Sequence, residues 1–217
     1  MLSSTQKILA SAAAGGLGLA WYMGSFNPVQ MGDSKLNGQL FVYKDQVGDY
    51  KNKLYNLAQV KKDLSDLPGK NYTITSVFYD NPLYIKDKNK ERSVIGAMID
   101  PSERTKVDRF LLQHPEYHVV ETGDLNTVST KFPYRNSLSF SLMNWKGLYN
   151  RLCKYSTEKK EVKSSDRFIV ERYPYLSGGD KIVEVMVPYG KNAALLNLSS
   201  LPTPTKKDRL PHAYFTP

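Results

Sequence analysis

A single cysteine, Cys153, in 217 residues excludes an internal disulfide framework and the small stapled secreted folds that depend on one. Histidine is nearly as scarce. His114, His118 and His212 form no metal-ligand constellation, because Pro115 breaks any helix that would bring the first two onto one face. No glycine-rich phosphate loop or dinucleotide fingerprint occurs, and no nucleic-acid-binding module is recognisable, so no specific nucleic-acid binding is expected. Positive charge is in excess, at a net +9, but it is not focused. It sits in short mixed runs such as residues 86–92 and 206–209, which read as solvated loops with some attraction to anionic surfaces.

What is present suffices for a core: 41% of residues are hydrophobic and 12% aromatic. Residues 8–26 (ILASAAAGGLGLAWYMGSF) carry no charge. As a helix they would span roughly 28 Å, close to the ~30 Å of a hydrocarbon core. Small residues outnumber large apolar ones, and Trp21-Tyr22 suits an interfacial belt. A cleaved secretory signal ending near Ala20 and an organelle transit peptide are rival readings; the latter would want more arginine than the lone Lys7 supplies. The expectation adopted is a membrane-anchor helix over residues 1–27, with Ile8, Leu9, Leu17, Leu19, Trp21, Tyr22 and Phe26 facing lipid. A linker follows over 28–37.

The folded part is organised around residues 73–82 (TITSVFYDNP), a β-branched and aromatic strand halted by an Asp-Asn-Pro turn. Residues 167–175 (RFIVERYPY) repeat the theme, again breaking at an aromatic-proline step. Residues 39–44 predict a strand. Asp49 caps a helix with Leu54, Leu57, Ala58 and Leu64 on one face and Lys51, Lys53, Lys61 and Lys62 mostly outside. Residues 93–99 form another strand, with Gly96 marking a bulge or close approach. A helix carrying Val107, Phe110 and Leu111 follows, then an optional strand at 117–121. The pattern then recurs. Residues 127–134 are a strand, Ser137 starts one long helix with Leu138, Leu142, Trp145, Tyr149 and Leu152 at helical spacing, and 168–173 and 181–187 are strands. The fold class is therefore α+β, a tandem of two strand–helix–strand–strand units at about 39–100 and 125–190, sharing one sheet within a domain spanning 38–190. Residues 191–217 read as a basic, flexible tail.

This tandem resembles the GyrI-like (gyrase-inhibitor-like) domain, related to the SOUL haem-binding group. More narrowly, the chain resembles the testis-expressed ER-phagy receptor family. The residues that carry the likeness are 77–82 (VFYDNP) and 94–96 (VIG), then 130–134 (TKFPY), 169–173 (IVERY) and Val187-Pro188. The resemblance implies an endoplasmic-reticulum, single-pass protein whose folded domain faces the cytosol. It would be a non-enzymatic adaptor tied to the autophagy machinery and to an AAA-type unfoldase. The family's acidic tail, which adds a strand to autophagy modifiers, has no counterpart in the basic ending LPTPTKKDRLPHAYFTP. The alternatives are a small-molecule-binding GyrI-like or SOUL-like protein, or a hydrolase using Glu171.

GyrI-like domains hold small ligands in a groove between their halves, and the resemblance places Glu171 there. Alternation puts Ile169, Glu171 and Tyr173 on one face. A carboxylate among such neighbours needs a polar groove or a cation, such as Arg135. Tyr79, Tyr134 and Tyr173 are the other groove residues, with core packing as the plainer reading for Tyr79 and Tyr134. No cofactor or metal is expected, and no second catalytic group stands at a telling spacing from Glu171. The sequons at Asn71 and Asn197 would carry sugar in a luminal domain and stay bare in a cytosolic one.

Overall fold

β-Branched and aromatic side chains favour the pleat, and in the computed structural model the strand they build, β3 (Tyr72–Phe78), lies in the middle of one sheet. The structure describes residues 3–24, 26, 28–67, 72–81, 85–160, 162, 168–196, 198, 200–203, 205 and 208. Pro82, Asn71, Asn197, His212 and residues 209–217 lie outside that set, as does the side chain of Ile8.

The first unit is β2 (Leu40–Val47), α2 (Lys53–Asp63), β3 and β4 (Arg92–Ile99). The second is β6 (Leu125–Pro133), α4 (Leu138–Trp145), α5 (Leu148–Lys160), β7 (Ile169–Tyr173) and β8 (Ile182–Tyr189). With β1 (Gly32–Leu36) and β5 (His118–Glu121) at the edges, the sheet runs β1-β6-β8-β7-β3-β4-β2-β5, antiparallel at every step. Each unit contributes its strands in the same order outward from the centre. The two middle strands meet there, with Ser76 opposite Glu171 and Val77 opposite Val170. This α+β tandem, joined through one sheet, is consistent with the GyrI-like fold.

Alternation sorts each strand between two faces. Ile74, Ile95, Tyr173, Val183 and Val185 face the helices, against Leu57, Val60, Leu148 and Leu152. Val77, Val94, Met98, Val170 and Met186 face the other way, with Phe41 and Phe168. That second face is covered by Leu196, with Leu198 beside it. Described residues beyond 190 make further contacts with the first unit. Arg92 donates to the Leu201 carbonyl, and Lys90 pairs with Asp208.

One local expectation is met and several change. Gly96 is a close approach: a Cβ there would stand 1.8 Å from the Val42 carbonyl oxygen. The long helix expected from Ser137 is two helices, turned at Gly147, whose φ of +61° suits glycine. Of the expected stripe, Trp145 and Leu138 are exposed and Leu152 is buried. Asn136, not Ser137, accepts from the first helical N–H, at Leu138. On α2 the buried stripe is Leu57, Val60 and Leu64, while Leu54 and Ala58 face out. Within the expected linker, residues 32–36 form the edge strand β1 beside β6.

The membrane anchor is overturned. Residues Ser4–Tyr22 do form a helix, α1, closed by a reciprocal cap between Ser3 and Gln6. Yet no helix among the described residues is long and apolar enough to cross a membrane, so the single-pass ER placement falls. The physical reason is composition: alanine and glycine dilute the large apolar side chains that make insertion favourable. Leu9, Leu17, Leu19, Trp21, Tyr22 and Phe26 are exposed. The helix ends against the body of the domain, where the Arg135 guanidinium lies over the Tyr22 ring and Lys146 donates to the Gly24 carbonyl.

Candidate functional site: a carboxylate and an ammonium among aromatic rings

β7 brings Glu171 to the helix face at the junction of the two units, and its side chain is 3% exposed. A carboxylate so placed must be met by donors. Three converge on it. Tyr149 on α5 donates to Oε1 at 2.8 Å, and Tyr173, two residues along β7, donates to Oε2 at 2.5 Å. The Lys53 ammonium reaches both oxygens, at 3.3 and 2.9 Å.

Local sequence explains each arrival. Gly48, with φ at +134°, turns the chain out of β2, and Asp49 then caps a 3-10 turn by accepting from the Lys51 N–H. α2 starts directly afterwards, so Lys53, its first residue, hangs over the β3–β7 junction. Gly147 performs the matching service for α5 and its second residue, Tyr149. The Lys53 Nζ also lies 4.1 Å from the centroid of Phe140 and 5.5 Å from that of Phe78. An ammonium over ring faces gains from the ring quadrupole, most of all where water is excluded.

The phenols are locked as donors. Burial pushes Tyr149 and Tyr173 well above the ordinary tyrosine range, and the adjacent Glu171 charge adds to the effect. Beyond them, Tyr175 stacks on Tyr134 with centroids 3.8 Å apart and meets Tyr173 edge-on. Burial, then Tyr134, raises Tyr175 too.

Of the four expected groove residues, the fold thus gathers Glu171, Tyr173 and Tyr134. Tyr79 is elsewhere. It lies on the opposite face against Phe168, its hydroxyl donating to the Leu196 carbonyl and accepting from the Leu198 N–H. The cation that meets Glu171 is Lys53 and not Arg135. Sequence reasoning placed Lys53 on the solvent side and did not select Tyr149, Phe140 or Phe78 for the site. One signal was available: 53, 57, 60 and 64 share a single helical stripe, so Lys53 continues the buried face of α2. A separate groove of about 600 Å³ runs between residues 28–32 and β6, past Phe132 and Ile182, without touching Glu171. Among the described residues, no group of histidine, cysteine and acidic side chains could hold a metal ion.

No family model matches the chain, and no curated protein matches it in sequence. Among solved structures it is similar to the EcmrR C-terminal domain, at 11% identity over 75% of this chain and 98% of that one, with a TM-score of 0.49. It is also similar to SAV2435 bound to tetraphenylphosphonium, at 14% identity over 74% and 93% of the two chains and a TM-score of 0.44. A hydrolase from Listeria innocua gives 12% identity, 78% and 97% coverage and a TM-score of 0.40. These scores lie below 0.5, so the functional reading stands on this chain's own geometry.

Proposed function

We propose that this domain is a non-enzymatic binder of small organic cations, with Glu171 as the anionic anchor and Phe78, Phe140, Tyr149 and Tyr173 as its walls. The observation that supports it is the seating of an ammonium between a buried carboxylate and the faces of two rings. That combination of charge pairing and ring faces recognises an amine and rejects an anion or a neutral polar ligand.

Hydrolysis is less well supported by the same atoms. A general base needs a free lone pair beside a water or substrate proton, and three donors already crowd Glu171. The adaptor reading loses its membrane anchor, since no helix among the described residues is long and apolar enough to cross a membrane.

The test is calorimetric titration of the whole chain with a panel of alkyl- and arylammonium ions, matched against Glu171→Gln. Saturable binding that the glutamine variant abolishes is the expected result. Equal binding to both proteins, or none to the wild type, defeats the reading.

A further inference from the structure

The position Lys53 occupies is the position a bound amine would need. Its side chain is 13% exposed against 3% for Glu171, so the lysine is the partner of this pair that solvent reaches. It stands at the very start of α2, after a 3-10 turn, and Asn52 before it makes no side-chain capping bond. Four rotatable bonds let the ammonium leave without moving the helix. Glu171 and Tyr173, by contrast, are buried and fixed in the sheet.

We propose that Lys53 is a tethered competitor lodged in the Glu171 site, and that an organic ammonium ion enters by exchanging with this side chain. The inference rests on the cation-binding reading above and specifies which cations succeed. Each carboxylate oxygen already takes one phenol, and the ammonium supplies the remaining N–H donors. A primary amine reproduces those donors and a quaternary one cannot, so primary alkylammonium ions are favoured. The tether holds the competing ammonium at an effective concentration of order millimolar or above, which weakens every free ligand in the wild-type protein.

Lys53→Ala deletes a propylammonium fragment, and that ion is the probe. The expected result is a lowered melting temperature for Lys53→Ala that propylammonium raises in a saturable way. Tetramethylammonium and sodium chloride at equal ionic strength should not do so, and Lys53→Ala combined with Glu171→Gln should respond to none of them. Wild-type protein should need at least about tenfold more propylammonium for any response. Where Lys53→Ala folds only with help, the yield of refolded protein replaces the melting temperature, and a yield that propylammonium leaves unchanged overturns the proposal. A second readout needs no deletion. The Lys53 ammonium signal in nitrogen-15 spectra of the wild type should move with propylammonium and not with salt, and indifference to both counts against exchange.

The outcomes separate the two ideas. A response in Lys53→Ala with none in the wild type leaves Lys53 as the occupant and retires the native ligand. Equal affinity in both keeps the binding site and overturns the competitor. Equal rescue of the single and double variants overturns it as well, because the carboxylate then plays no part.

Discussion

Two clusters in this molecule use the same parts. Between the units, Lys53 meets Glu171 with Tyr149 and Tyr173 as donors. Within the first unit and its neighbouring strand, Lys44 meets Asp63 at 2.7 Å, Tyr117 donates to the same carboxylate at 2.8 Å, and the lysine lies over the Tyr117 ring at 4.9 Å. The chemistry is nearly identical and the setting is not. Side-chain exposure is 13% and 3% in the first pair, 21% and 17% in the second. Partial exposure lets water answer each charge in the Asp63 cluster, so losing a partner costs little there. Around Glu171 the protein must supply every partner itself, and the carboxylate, fixed in the sheet, has nowhere to turn if its cation is removed. Equal inventories of contacts therefore stand for unequal energies.

The largest expected effect is on the buried side. Lys53→Ala leaves the buried Glu171 carboxylate without its counter-charge and should cost about 3–5 kcal/mol, against about 1 kcal/mol or less for Lys44→Ala. Urea unfolding at neutral pH measures both. Similar losses at the two sites would erase the distinction. Next comes the double replacement Lys53→Met with Glu171→Leu, which removes both charges and keeps the volume. It should recover part of that loss, with the Tyr149 and Tyr173 hydroxyls, now without their acceptor, holding back about 1–3 kcal/mol each. A double variant as weak as Lys53→Ala would mean that packing and the orphaned phenols, not an orphaned charge, set the cost.

Much of the frame behind this contrast is legible in the residues, and the site is less so. The strand at 73–78 and its echo at 168–173 announce themselves by β-branched and aromatic alternation, and they are the strands that meet at the centre. Glu171 is conspicuous because an acid between Ile169 and Tyr173 on one strand face contradicts its neighbours. Its partners are not conspicuous. Lys53 lies 118 residues away in sequence, and only pairing of β3 with β7 brings α2 over β7. Composition cannot show which of 30 basic residues makes that journey. Tyr79 fails for the opposite reason. It follows the last residue of β3, and its hydroxyl finds the Leu196 carbonyl on the far face. The anchor expectation fails on degree, since the absence of charge in residues 8–26 is visible while the thinness of their hydrophobicity decides the matter.

High pH sharpens the comparison further. Tyr149 and Tyr173 have folded-state pKa values raised above the ordinary 10.0, by burial first and Glu171 second. Their contribution is complete below pH 10 and is lost as pH rises beyond it, because the unfolded chain releases protons that the fold retains. Each such phenol adds up to about 1.4 kcal/mol per pH unit to the slope. Tyr117 is raised as well, by burial and then Asp63, so both clusters weaken in alkali and the buried one, with two phenols, weakens faster. Stability measured from pH 9 upward in Tyr149→Phe and Tyr117→Phe backgrounds resolves the shares. A wild-type slope that Tyr149→Phe leaves untouched would place its hydroxyl in water.

Acid gives the smallest effect and the most selective one. Asp63 is desolvated, which alone would raise its pKa, but the bonds from Lys44 and Tyr117 outweigh that and hold it below the ordinary 3.8. A depressed carboxylate stabilises the fold above its unfolded value, so the contribution of Asp63 is present at neutral pH and fades below about pH 3.8. Lys44→Met should remove part of that acid dependence while changing neutral stability by about 0.5–1 kcal/mol. Lysine supplies only one of the bonds, so Tyr117 and Gln59 should keep some of the depression. Urea midpoints from pH 2.5 to 5 test this directly. An unchanged acid limb in Lys44→Met would assign the depression to the neutral donors. The Asp63 cluster would then owe its behaviour to hydrogen bonds and not to its ion pair.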